Sequence, residues 1–143
     1  MAGGRAVLSG AAILVAVGAC SGGGPAGVTG LQVGGSWIEV STLVDDECES
    51  GLPPTSTAPL TIVPDGNRIN FVYHLTGGDF VLAGTFNPQT GAFTLSFSEG
   101  SVTGVQAGSF SSTSSYTSES EIVVALGGGE TCTVRTSEVG QRA

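Results

Sequence analysis

From Ser36 to Val139 the apolar residues of this chain recur at every second position, and no stretch sustains the helical period of about 3.6 residues. The clearest run is Arg68-Ile69-Asn70-Phe71-Val72-Tyr73-His74-Leu75, where Ile69, Phe71, Tyr73 and Leu75 share one face of an extended strand. Phe80, Leu82, Gly84 and Phe86 repeat the pattern, followed by Phe93, Leu95 and Phe97, and then by Ile122, Val124 and Leu126. Aromatic and branched side chains suit such a half-buried pleated surface. Turn-forming residues separate the runs: Asp65-Gly66, Gly77-Gly78-Asp79, Asn87-Pro88-Gln89-Thr90-Gly91, Glu99-Gly100 and Gly127-Gly128-Gly129. With 24 glycines in 143 residues and no Gly-X-Y period, neither long helices nor collagen fits.

The spacing predicts eight strands, at about 36–44, 58–64, 68–76, 79–86, 91–98, 101–110, 115–126 and 130–138. The sixth is the softest, because Ser101 to Gly108 carries small residues. All connections are of hairpin length except Asp45 to Thr57, which favours an up-and-down order. Such a sheet has two exposed edges unless it closes on itself, and this number of strands closes around side chains or one small ligand. The expected fold is therefore all-β, a small antiparallel up-and-down barrel. Cys48 follows the first strand and Cys132 lies in the last, so a bridge between them would tie neighbouring strands of a closed barrel. In the chain-entropy view that bridge contributes roughly 4 to 5 kcal/mol.

The third cysteine belongs to another segment. Met1 to Arg5 is a short basic start, and Ala6 to Val17 carries no charge but is too short to span a bilayer. Val17-Gly18-Ala19-Cys20 closes it and resembles the lipobox of bacterial lipoproteins, with Val17 where Leu is more usual. The resemblance implies a signal peptide over 1–19 and acylation of Cys20 by diacylglyceryl and fatty acyl (palmitate-type) chains. Membrane lipid is then the first partner. Each buried methylene holds with about 0.8 kcal/mol, so two or three chains make release slow. Ser21 rather than Asp after the cysteine implies the outer membrane in a Gram-negative cell; in a Gram-positive one the anchor holds the outer face of the plasma membrane. Either way the resemblance implies an exported component of the bacterial cell envelope. Residues 20–34 read as anchor and Gly-rich tether, with an end-to-end distance of roughly 20 Å. A barrel domain over 35–139 and a tail at 140–143 complete the organisation.

Gly35-Ser36-Trp37 resembles the Gly-x-Trp motif of lipocalins and the wider calycin group, which includes avidins. That likeness implies a lipocalin-like barrel whose floor is plugged by Trp37, with Arg135 in the last strand packed over the indole. The plainer alternative makes Trp37 a core residue and Arg135 a surface charge. If Trp37 points inward then so does Glu39, where avidins place a ligand-binding side chain; yet Ile38, Val40 and Val44 form the more apolar face, which would turn Glu39 outward.

The net charge of -8 disfavours phosphate backbones, so nucleic acid is not an expected partner. Catalytic equipment is sparse: all four basic residues are Arg, and the one histidine, His74, alternates to the outer face. No Gly-x-Ser-x-Gly elbow, zinc set or phosphate loop occurs, and Asp45-Asp46-Glu47-Cys48-Glu49 lacks the spacing of a calcium loop. The residues point to a protein that is not an enzyme and needs no cofactor or metal. Two functions stay open. One is an anchored barrel holding a small apolar ligand in a cavity lined by Glu39, Phe71, Tyr73, Leu82, Phe93 and Phe97. The other is a filled barrel acting as an envelope structural, interaction or inhibitor module with a protein partner.

Overall fold

A computed structural model describes residues 30–143. Cys20, the segment expected to be a signal peptide and most of the one expected to be a tether lie outside the described residues. The eight strands are β1 (Gly35–Asp46), β2 (Thr55–Asp65), β3 (Arg68–Leu75), β4 (Gly78–Phe86), β5 (Ala92–Glu99), β6 (Val102–Ser112), β7 (Ser115–Gly127) and β8 (Glu130–Arg142). Every strand pairs antiparallel with its chain neighbours, and β1 pairs with β8, so the barrel is closed in simple up-and-down order. Closure leaves no free sheet edge at the chain termini, as the alternation and short turns required. The turn between β7 and β8 runs through Gly127, Gly128 and Gly129, all at positive φ, a conformation that side chains with a Cβ rarely adopt.

Trp37 faces the interior at 1 % exposure, and Glu39 follows it inward at 6 %, while Ile38 and Val40 face solvent. The apolar look of the Ile38, Val40 and Val44 face is therefore misleading. Val40 pairs with Val139 on the outer surface, and both remain exposed. What fixes the face is the packing available to an indole inside the barrel, which no outward position offers.

One end of the barrel is solid. Trp37, Phe71, Phe86, Phe93, Phe110 and Tyr116 interlock there, with ring centroids 5.0 Å apart for Phe71 and Phe93, 5.3 Å for Phe110 and Tyr116, and 5.5 Å for Trp37 and Phe110. Such pairs each add about 0.5–1.5 kcal/mol beyond the area they bury. The packed chain begins earlier than the boundary at residue 35. Val33 is fully buried, its carbonyl accepts from Trp37 Nε1 at 2.9 Å, and Leu31 packs against the core while its N–H donates to Pro88 O. Leu31 and Val33 are apolar residues in a Gly-rich stretch, and burying them outweighs the freedom of a tether.

The last strand also runs further than 138, to Arg142, so positions assigned to a tail lie in the sheet. This extension corrects the floor. Arg142, paired in register with Trp37, holds its guanidinium 5.0 Å from the indole centroid. It donates from Nη1 to Gly34 O, from Nη2 to Gln32 O and from Nε to Thr113 O. Arg135 is not there: it is exposed, and it bridges Asp45 and Glu121 at 3.2 and 3.0 Å on the outer face. A strand ending at 138 has Arg135 as its last arginine, and four further residue pairs toward the floor put Arg142 in its place.

Candidate functional site

The opposite end is hollow. A cavity of about 300 Å³ lies above the aromatic plug, walled by Leu52, Leu75, Phe80, Leu82, Phe97, Val105 and Ile122 and floored by Glu39, Tyr73, Gln106 and Glu138. Of the six residues read from the sequence as cavity-lining, Glu39, Tyr73, Leu82 and Phe97 line it. Phe71 and Phe93 do not: they belong to the plug, in contact with Trp37's neighbours Phe110 and Tyr116. Alternation groups residues by face but not by height along the barrel, so it could not divide filled from hollow.

A seam borders the hollow. β4 and β5 pair only from Ala83 opposite Ser96 to Phe86 opposite Phe93. Beyond that point Gly78 to Leu82 and Phe97 to Glu99 have no ladder partner across this seam, and the rings of Phe80 and Phe97 fill it edge to face at 5.2 Å. Gly104 keeps room for Phe97: a Cβ there would stand 2.2 Å from its Cε1. The small residues that make the sixth strand soft in the sequence are the space into which a neighbouring ring packs.

The loop between β1 and β2 borders the mouth through Leu52. The Cys48–Cys132 disulfide, with Cα atoms 5.2 Å apart, ties that loop to β8, and Glu47 N donates to Thr133 O beside it. Within the loop, Asp46 Oδ2 accepts from both the amide and the hydroxyl of Ser50.

Buried polar side chains converge beneath the cavity. Glu39 Oε2 accepts from the hydroxyls of Tyr73, at 2.9 Å, and Tyr116, and from Gln106 Nε2 at 3.1 Å. Gln106 Nε2 also donates to Ser118 Oγ at 2.9 Å, and Ser118 Oγ donates to Glu138 Oε1 at 2.7 Å. Thr136 Oγ1 donates to the other oxygen of Glu138. One network thus crosses β1, β3, β6, β7 and β8. Burial pushes the Glu39 carboxyl above its ordinary range; the hydroxyls of Tyr116 and Tyr73 oppose that shift, the charge of Glu138 adds to it, and Gln106 opposes it. Burial and the nearby Glu39 charge hold both tyrosines as phenols, and hence as donors. Of this network the sequence pointed to Glu39 and Tyr73; Gln106, Tyr116, Ser118, Thr136 and Glu138 were missed. Their signal was polar residues at inward positions of β6, β7 and β8, which read as exposed strand because serine is common on both faces there.

His74 stands on the outer wall, with Nε2 2.7 Å from Thr61 Oγ1 and Nδ1 3.0 Å from Asp79. It does not touch the cavity. No family model matches the chain, and no curated protein sequence matches it either.

Proposed function

We propose that the protein is a lipid-anchored binding barrel of the bacterial cell envelope, taking a small ligand into the cavity at its open end. One observation carries the reading: in a barrel otherwise packed with aromatic rings, an apolar-walled cavity of about 300 Å³ stands over a few convergent polar groups. That combination is the usual form of a small-molecule site, at the lower end of its size range. The cavity favours ligand binding over a filled structural module. Binding rather than catalysis is supported by the placing of His74 on the outer wall and by a chain that has no lysine. The anchor rests on Val17-Gly18-Ala19-Cys20 and the apolar run before it.

Native mass spectrometry of the full chain isolated from its own organism tests the cavity. A ligand adduct is expected, and it should disappear in Leu82→Trp, which fills the space. An adduct that persists undiminished in that variant places the ligand elsewhere and sinks the reading. Cys20→Ser should abolish fatty-acid labelling; a label that survives removes the anchor.

A further inference from the structure

The floor of the cavity has more acceptors than donors. The donors next to the two carboxylates are already engaged: Tyr73, Tyr116 and Gln106 on Glu39, Tyr73 also on Gln106 Oε1, Gln106 also on Ser118, and Ser118 and Thr136 on Glu138, while the hydroxyls of Ser41 and Ser120, which also line the cavity, bond to neither carboxylate. All three bonds to Glu39 fall on Oε2. Oε1 accepts none from the described residues, although the side chain is more than nine-tenths buried and faces the cavity. Glu138, 4 % exposed, lines the same space.

No cation answers these carboxylates among the described residues. Arg68 and Arg135 are exposed, Arg142 is committed to the floor at the other end, and His74 is on the outer wall. A buried carboxylate without a positive partner either keeps its proton or gains greatly from a cation. The raised range of Glu39 accords with a site that is short of positive charge.

We propose that the cavity selects an organic cation, an amine or guanidinium group facing Glu39 and Glu138, carried on a short apolar body that lies against Leu75, Leu82 and Phe97. The inference rests on the reading that the cavity takes a ligand, and adds its chemical class. An N–H cation brings both things the floor lacks, donors and charge, and charge-assisted bonds of this kind are the strong ones. An inorganic metal ion fits less well, because no cluster of three metal-ligating side chains occurs among the described residues and the walls are apolar.

The test is calorimetric titration of the full chain with three probes of one length: n-hexylamine, 1-hexanol and hexanoate, with detergent blanks subtracted. Hexylamine should bind about tenfold or more tighter than hexanol, and hexanoate should bind worst. Hexylamine binding should strengthen as pH rises and release protons, read from its dependence on buffer ionisation enthalpy. The groups facing Glu39 are Tyr73, Tyr116, Gln106 and Glu138, and of these the tyrosines stay protonated throughout. Glu138→Gln and Glu39→Gln should each bring the amine down toward the alcohol while leaving hexanol binding in place. Glu138→Gln keeps the test open if Glu39→Gln fails to fold, as judged by near-UV circular dichroism. Equal binding of amine and alcohol overturns the cation preference and leaves the cavity reading standing. Binding of none of the three by the folded chain overturns both.

Discussion

Gly140→Ala is expected to be among the most damaging methyl additions in this protein, for a reason visible only in three dimensions. Gly140 lies in β8 between Glu39 of β1 and Tyr116 of β7, its register partners on either side. The Tyr116 ring lies across the glycine to bring its hydroxyl to Glu39, and a Cβ on residue 140 would stand 1.9, 2.2 and 2.5 Å from ring atoms Cε2, Cζ and Cδ2. Ordinary carbon contacts are about 3.5–4.0 Å, so the ring must retreat by about 1.5 Å. It is fully buried and packed against Trp37, Phe71, Phe93 and Phe110, so retreat means displacing the plug. Overpacking of this kind costs about 1–3 kcal/mol. Losing the hydrogen bond to Glu39 adds about 1.5–3 kcal/mol. A total of about 2.5–6 kcal/mol is a large share of the roughly 5–15 kcal/mol that holds a domain together. Urea unfolding followed by the fluorescence of Trp37, the one tryptophan, gives the measurement. The decisive comparison is a double-mutant cycle: in a Tyr116→Ala background the same Gly140→Ala change should cost about 0.5 kcal/mol or less. Gly77→Ala, where a Cβ meets nothing within 4 Å, is the control. If Gly140→Ala costs as much without the tyrosine as with it, the ring-over-glycine account is wrong.

Replacing both Cys48 and Cys132 by Ala should lower stability by about 4–5 kcal/mol, since the bridge closes a separation of 84 residues, and a loss under about 1 kcal/mol in denaturant titration would contradict the entropic account. Arg142→Met should cost about 2–3 kcal/mol, through three lost carbonyl bonds and the indole face, whereas Arg135→Gln should stay within about 0.5 kcal/mol; the reverse ranking in thermal melts would return the floor to Arg135. For Glu39 the folded carboxyl titrates above its unfolded value of about 4.5, so the native state binds the extra proton. Its contribution is therefore full below that value and declines as pH rises through the folded range. Wild type minus Glu39→Gln stability, measured from pH 4 to 9 (a window of about five units chosen to span that range), should fall with pH in the absence of ligand, and a flat or rising difference would refute the assignment.

Period-two alternation and the turn residues sufficed for the strand number, the antiparallel order and the closure that makes β1 and β8 neighbours, because each is a local consequence of side chains facing alternate sides and of chain reversals too short for any crossover. The Cys48–Cys132 bridge followed from closure. What local pattern could not supply was anything measured along or across the barrel. Whether Trp37 and Glu39 point in or out turns on a one-residue slip, decided by which face finds ring partners. That Arg142 rather than Arg135 covers the indole depends on where β8 stops, and Leu31 and Val33 join the plug only because a floor exists for them to cover. Phe71 and Tyr73 are alike in the alternation, yet one is plug and the other cavity floor, since height in a tilted barrel is set by register between strands far apart in the chain. The carboxylate floor belongs to tertiary structure for the same reason. Glu39, Tyr73, Gln106, Tyr116 and Glu138 come from five strands, and only closure brings them to one network.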